Sequence, residues 1–165
     1  GFYFYFDSKY AVLAHILAEV AGELDELTGE FAPRGDDETP AVFAKRMVAS
    51  AAAVYAHNDP VMSACNIARS TDAEIREILD RYNDLVIDQI VPIVEAEIRN
   101  GTAEPLTEDV RGLVRVLVGA TAMTLSGETM FAGPDRDIPR AVAVLEKLWL
   151  HSLWGDKACG DKAGS

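Results

Sequence analysis

The sequence predicts an all-α protein, and three observations carry that expectation. Apolar residues recur at three- and four-residue intervals through most of the chain. The breaks between those stretches hold helix-capping residues, prolines and glycines. No run alternates with period two except Phe2-Tyr3-Phe4-Tyr5-Phe6, which reads better as the end of a helix.

The elements follow in order. Val12, Leu13, Ile16, Leu17, Val20, Leu24 and Leu27 form one helical stripe behind an Asp7-Ser8 cap, so a helix is expected from Ser8 to Phe31. The polar stretch from Phe31 to Asp37, with Pro33 and Gly35, ends it. Thr39 then caps a second helix whose first position is Pro40, where the missing N–H costs nothing, and which runs to about His57. Asn58-Asp59-Pro60 breaks it and starts a short helix through Arg69. Thr71-Asp72-Ala73-Glu74 has the pattern of a capping box and opens a long helix to Asn100, with Gly101 as its stop and a kink expected at Pro92. Thr107 is expected to cap a helix reaching Phe131, and Asp137 the last one, ended by Gly155. Residues 156–165 have no apolar period and are expected to be disordered.

The last two helices differ from the others. In the first of them Leu113, Leu117, Ala120 and Thr124 follow one line, and Val114, Val118, Thr121 and Leu125 another. In the second, Val142, Leu145, Trp149 and Leu153 follow one line, and Ala141, Val144 and Leu148 another. A helix that is apolar over most of its circumference needs neighbours on both sides. At the end of a chain this points to a homodimer interface, with Val114, Val118, Thr121, Leu125, Val144, Leu148 and His151 as candidates. The other reading makes both helices central in a monomer.

At 165 residues and 49% apolar residues the chain can bury a real core. A net charge of −12 argues against nucleic-acid binding by these residues alone. Two distant cysteines, Cys65 and Cys159, make no disulfide framework and fit a reducing, cytoplasmic setting. No apolar run has the length of a membrane span. His15, His57 and His151 lie on different helices without ligand spacing, so no metal or other cofactor is expected. Ser63, Ser70 and Ser126 lack a nucleophile elbow, and no glycine loop is built for phosphate. Paired acids such as Glu23 with Glu26 read as solvated faces. Nothing in the chain asks to be the active site of an enzyme.

Bulky side chains with isolated polar groups form a different set. Phe43, Met47 and Tyr55 share roughly one face of the second helix, and Ile78, Tyr82, Leu85 and Gln89 follow helical spacing on the long one. Met123 and Trp149 add to them from the last two helices. Such residues suit the wall of an apolar small-molecule pocket, elongated between the second, long and penultimate helices. They equally suit a filled core, which leaves open a helical dimerisation module with no ligand.

The opening Tyr3, Tyr5, Phe6, Ser8, Lys9 and Val12-Leu13 resembles the join between recognition helix and following helix in TetR-type transcriptional repressors. Ala68-Arg69-Ser70-Thr71, Phe131-Ala132-Gly133 and the closing Leu148-Trp149-Leu150-His151-Ser152-Leu153-Trp154-Gly155 extend the resemblance, most closely to a mycobacterial branch of that family. The resemblance implies a homodimeric, all-helical regulator. Residues 1–7 would be the remnant of a helix-turn-helix whose other helices precede Gly1, and 8–155 the ligand-binding and dimerisation domain. It implies operator DNA as a partner, with Tyr5 and Lys9 at backbone-contacting positions, and a small apolar effector in a tunnel. Phe43, Met47, Tyr55, Ile78, Tyr82, Leu85, Met123 and Trp149 fall near tunnel positions. Ala120 and Met123 stand where the resembling repressors carry two asparagines, so a polar anchor for ligand is expected from Gln89, Thr124 or Asn66 instead.

Overall fold

A computed structural model describes residues 11–20, 22, 32–57 and 59–159. Within them the regular structure is helical: α1 (residues 11–20), α2 (Pro40–His57), α3 (Asp59–Ala68), α4 (Ala73–Arg99), α5 (Val110–Leu125), α6 (Thr129–Ala132), α7 (Ile138–Trp154) and a 3-10 turn over Gly155–Cys159. The all-α expectation holds, and three boundaries shift for local reasons. Asp72 rather than Thr71 caps α4, its carboxylate accepting from the Ile75 N–H at 2.9 Å, while the Thr71 hydroxyl donates back to the Ala68 carbonyl. Asp109 rather than Thr107 caps α5, accepting from the Gly112 N–H at 2.8 Å. α5 stops at Leu125 and not at Phe131, because Gly127 turns the chain at φ +75°, where a side chain would be strained.

The chain continues past the expected end of order. Residues 155–159 form the 3-10 turn, and Ala158 packs against the main core. Gly155 makes this turn possible. It sits at φ +53°, and a Cβ there would lie 2.5 Å from the Glu104 carbonyl oxygen.

Two apolar cores organise the helices. The larger is built from Phe43, Met47 and Val48 of α2, Val86 to Val94 of α4, Val114, Leu117 and Val118 of α5, and Leu145, Trp149, Leu153 and Trp154 of α7. The smaller joins Ala14, Leu17 and Val20 of α1 to Val54 of α2, Met62, Cys65 and Ala68 of α3, and Ile75 and Leu79 of α4. α4 runs through both, and Tyr82 packs against each. Two ion pairs, Arg111 with Asp88 at 2.7 Å and Arg115 with Asp84 at 2.8 Å, hold α4 beside α5 with matching four-residue steps.

A polar clamp closes the far end of the larger core. Arg34 grips Glu97 through two bonds, Nε to Oε1 at 2.9 Å and Nη2 to Oε2 at 3.1 Å. The Thr102 hydroxyl lies 2.7 Å from Oε2, and the Trp154 indole donates to the same oxygen at 3.3 Å. Burial raises the Glu97 pKa, but the bonds from Arg34, Thr102 and Trp154 outweigh it and hold the carboxyl below its ordinary value. Trp154 meets Phe43 edge to face at 5.6 Å, so the clamp ties the residue-34 loop, the end of α4 and the end of α7 to the start of α2.

Candidate ligand pocket and subunit face

The structure distributes the candidate pocket residues between the two cores. Phe43, Met47 and Trp149 are buried in the larger one, and Ala120 packs against it. Tyr55 and Ile78 pack against the smaller one, and Tyr82 spans the boundary. Met123 is half-buried near the end of α5. Leu85, 46% exposed, is turned away from both cores, because Val86 and Ile87 take the inward positions of that turn of α4.

The polar groups around this interior are mostly paired. The Trp149 indole donates to Thr121 Oγ1 at 2.9 Å, and that hydroxyl donates to the Leu117 carbonyl at 2.8 Å. Thr124 is bonded back to the Ala120 carbonyl at 2.7 Å. The Asn66 amide donates to the Met62 carbonyl at 3.0 Å and to Ser126 Oγ at 2.6 Å. Tyr55 shares a hydrogen bond with Ser126, so one serine gathers α2, α3 and α5. Burial pushes the Tyr55 phenol up to about 12, against the opposing pull of Ser126 and Arg69. Burial, reinforced by neighbouring Tyr55, raises Tyr82 further, so both phenols are neutral donors at physiological pH. Gln89 is the exception. Its Oε1 is shielded from solvent and accepts no hydrogen bond.

The subunit-face residues divide by helix. Val114, Val118, Thr121 and Leu125 are interior residues of the chain itself, with Val114 wholly buried. Buried within a single copy, they present little surface for pairing. α5 instead turns Val116, 68% exposed, outward, with Gly119 and Met123 half-buried beyond it. On α7 the expected face is accessible: Val144 is 63% and Leu148 44% exposed, and His151 is exposed.

Residues that sequence reasoning passed over line a surface depression of about 530 Å³, bordered by Arg34, Asp36, Asp37, Glu38, Gly101, Thr102 and Lys157. The loop from Arg34 to Glu38 reads in sequence only as a helix break. Its partner Glu97 lies 63 positions away, so no local pattern announces the pair. Cys65 is buried, which pushes its thiol up to about 11, and Cys159 is exposed; both are free. Among the described residues no group of His, Cys, Asp and Glu is placed to hold a metal ion, and no helix is long and apolar enough to cross a membrane. Tyr5 and Lys9 lie outside the described residues, as do residues 160–165.

Comparison with known proteins places this architecture. Residues 44–155 match the family model for the C-terminal domain of the transcriptional regulator EthR. The HTH-type transcriptional regulators EthR of Mycobacterium tuberculosis (strains CDC 1551 and H37Rv) and of Mycobacterium bovis are each 27% identical to the chain over 161 residues. Those alignments cover 94% of this chain and 71% of the relative. The matched segment contains α4, α5 and α7 entire and most of α2, the helices that build the larger core. The chain therefore belongs to the family of the EthR C-terminal domain and is a transcriptional regulator of the EthR/TetR type.

Proposed function

We propose that this chain is the effector and dimerisation part of a ligand-responsive repressor, in which a small apolar molecule held among α2, α4, α5 and α7 controls operator binding. The supporting observation is the position of Tyr82. It packs against the core that carries Phe43, Met47 and Trp149 and also against the core on which α1 is seated. A ligand that displaces Tyr82 disturbs the core on which α1 is seated. α1 follows the Tyr5 and Lys9 stretch, and the relatives are named as HTH-type regulators, so the seat of α1 sets the aim of the DNA-reading helices. A ligand preferring one seat shifts the population by its difference in affinity between the two.

Two copies pair through the outward faces of α5 and α7, with Val116, Val144, Leu148 and His151 in contact and Gly119 permitting close approach. Val144→Glu with Leu148→Glu buries unpaired like charges in such a dimer, and sedimentation should then report monomers. An unchanged mass would place the interface elsewhere. The ligand reading is tested by thermal melting of the protein against a panel of apolar compounds. A concentration-dependent rise in Tm, with release of operator DNA from the complete regulator, is the expected result. If no compound moves Tm, the filled-core dimerisation module is the better description.

A further inference from the structure

We infer that Gln89 selects the ligand, and that the ligand is an apolar molecule carrying one N–H or O–H donor; this rests on the pocket proposed above. The argument is by accounting. Among the described residues, two side-chain oxygens are shielded from solvent without a hydrogen-bond acceptor role: Asp84 Oδ1 and Gln89 Oε1. Asp84 Oδ1 is compensated by the Arg115 guanidinium at 2.8 Å. Gln89 Oε1 has no such neighbour. A buried carbonyl left unpaired is costly, and native chains seldom keep one without a use.

Its surroundings sharpen the choice. Gln89 lies one turn beyond Val86 and two turns beyond Tyr82, and its neighbours Val86, Ile90 and Ile93 are all buried. The other polar groups offered as ligand anchors are already engaged: Asn66 with Met62 and Ser126, and Thr124 with Ala120. A ligand acceptor binding to either must first break an internal bond, and neither Asn66 Oδ1 nor Thr124 Oγ1 is a solvent-shielded oxygen left unpaired. A donor reaching Gln89 Oε1 breaks none and satisfies an oxygen that is otherwise unpaired.

The test uses two probes of nearly equal shape, 4-tert-butylphenol and 4-tert-butylanisole. The anisole is the more apolar and lacks the donor, so an indifferent apolar pocket prefers it. Binding to the 165-residue chain is measured by calorimetry and by Tm. The phenol should bind roughly two- to tenfold more tightly, the range of one hydrogen bond's net effect. Gln89→Leu should erase that preference while keeping anisole binding, and should raise the Tm of the ligand-free protein, since an unpaired carbonyl is replaced by apolar volume. Equal binding of both probes, or a preference for the anisole, would overturn the role of Gln89 and leave the pocket standing. A phenol preference that survives Gln89→Leu would do the same. A Gln89→Leu chain that melts lower without ligand would show that the oxygen has a partner after all, and would overturn it too. If neither probe nor any compound of the apolar panel binds, the pocket itself fails, and this inference with it.

Discussion

Removing Glu97 should cost more than its single position on α4 suggests. Its side chain is 11% exposed and that of Arg34 16%, and the two are joined by a pair of short parallel bonds. Glu97→Ala takes away the bidentate partner of a nearly enclosed guanidinium, leaving it the Glu38 carbonyl and the nearby Glu38 carboxylate, and strips the Trp154 indole of its acceptor, while the Thr102 hydroxyl keeps the residue-97 carbonyl. Breaking a buried pair by deleting one partner costs about 3–5 kcal/mol. Partial access to water from the adjoining depression brings the expectation to the lower end, about 3 kcal/mol. For a domain of this size that is a fall in Tm of roughly 6–12 °C. Urea unfolding monitored by tryptophan fluorescence measures it directly, since Trp154 reports on the site. The pH dependence supplies an independent sign. Glu97 is held below its unfolded-state pKa, so its stabilisation is complete above that value and disappears as pH falls through the lower, folded one. Stability of the unmutated chain should therefore drop more steeply below about pH 4.3 than that of Glu97→Gln. A cost below about 1 kcal/mol, with parallel pH curves, would mean that desolvation cancels the pairing and the clamp contributes no net stability.

Three further outcomes follow from the packing. Gly155→Ala should destabilise by about 2 kcal/mol or more, because its Cβ meets backbone rather than a movable side chain at a positive φ; thermal melting checks this. Thr121→Val should cost about 1–3 kcal/mol in urea unfolding, since it leaves the buried Trp149 indole N–H without an acceptor. Ala120→Trp should abolish apolar ligand binding with little loss of Tm if the wall beside it is open, and should lower stability by about 1–3 kcal/mol with no ligand effect if the core there is solid.

The helices were legible in the sequence wherever an apolar period met a capping residue, as at Thr39-Pro40 and Asp137. Boundaries slipped where two capping residues lie close together. Thr71 and Asp72 offer similar local chemistry, and the tertiary path of the chain decides which one faces the free N–H groups. The orientation of α7 was readable because its apolar lines are unequal: the one carrying Leu145, Trp149 and Leu153 holds the bulkier residues and is buried. α5 gave no such contrast. With valines and leucines around most of its surface, only packing against α4 determines that Val114 points in and Val116 out. The pocket candidates were recognisable as bulky inward residues, but their division between two cores depends on contacts across the chain. Arg34 and Glu97, distant and individually ordinary, left no local trace at all.

Two cores that share one helix need not come apart together. The smaller depends on α1 and α3 lying against the first turns of α4, while the larger is closed by α7, the ion pairs to α5 and the Glu97 clamp. Free energy of opening should therefore rise along α4 from its N-terminal to its C-terminal half. Amide exchange would resolve this as two protection levels within a single continuous helix, changing near Tyr82. A regulator built this way can loosen the part that carries α1 and remain folded, keeping its remaining helices assembled.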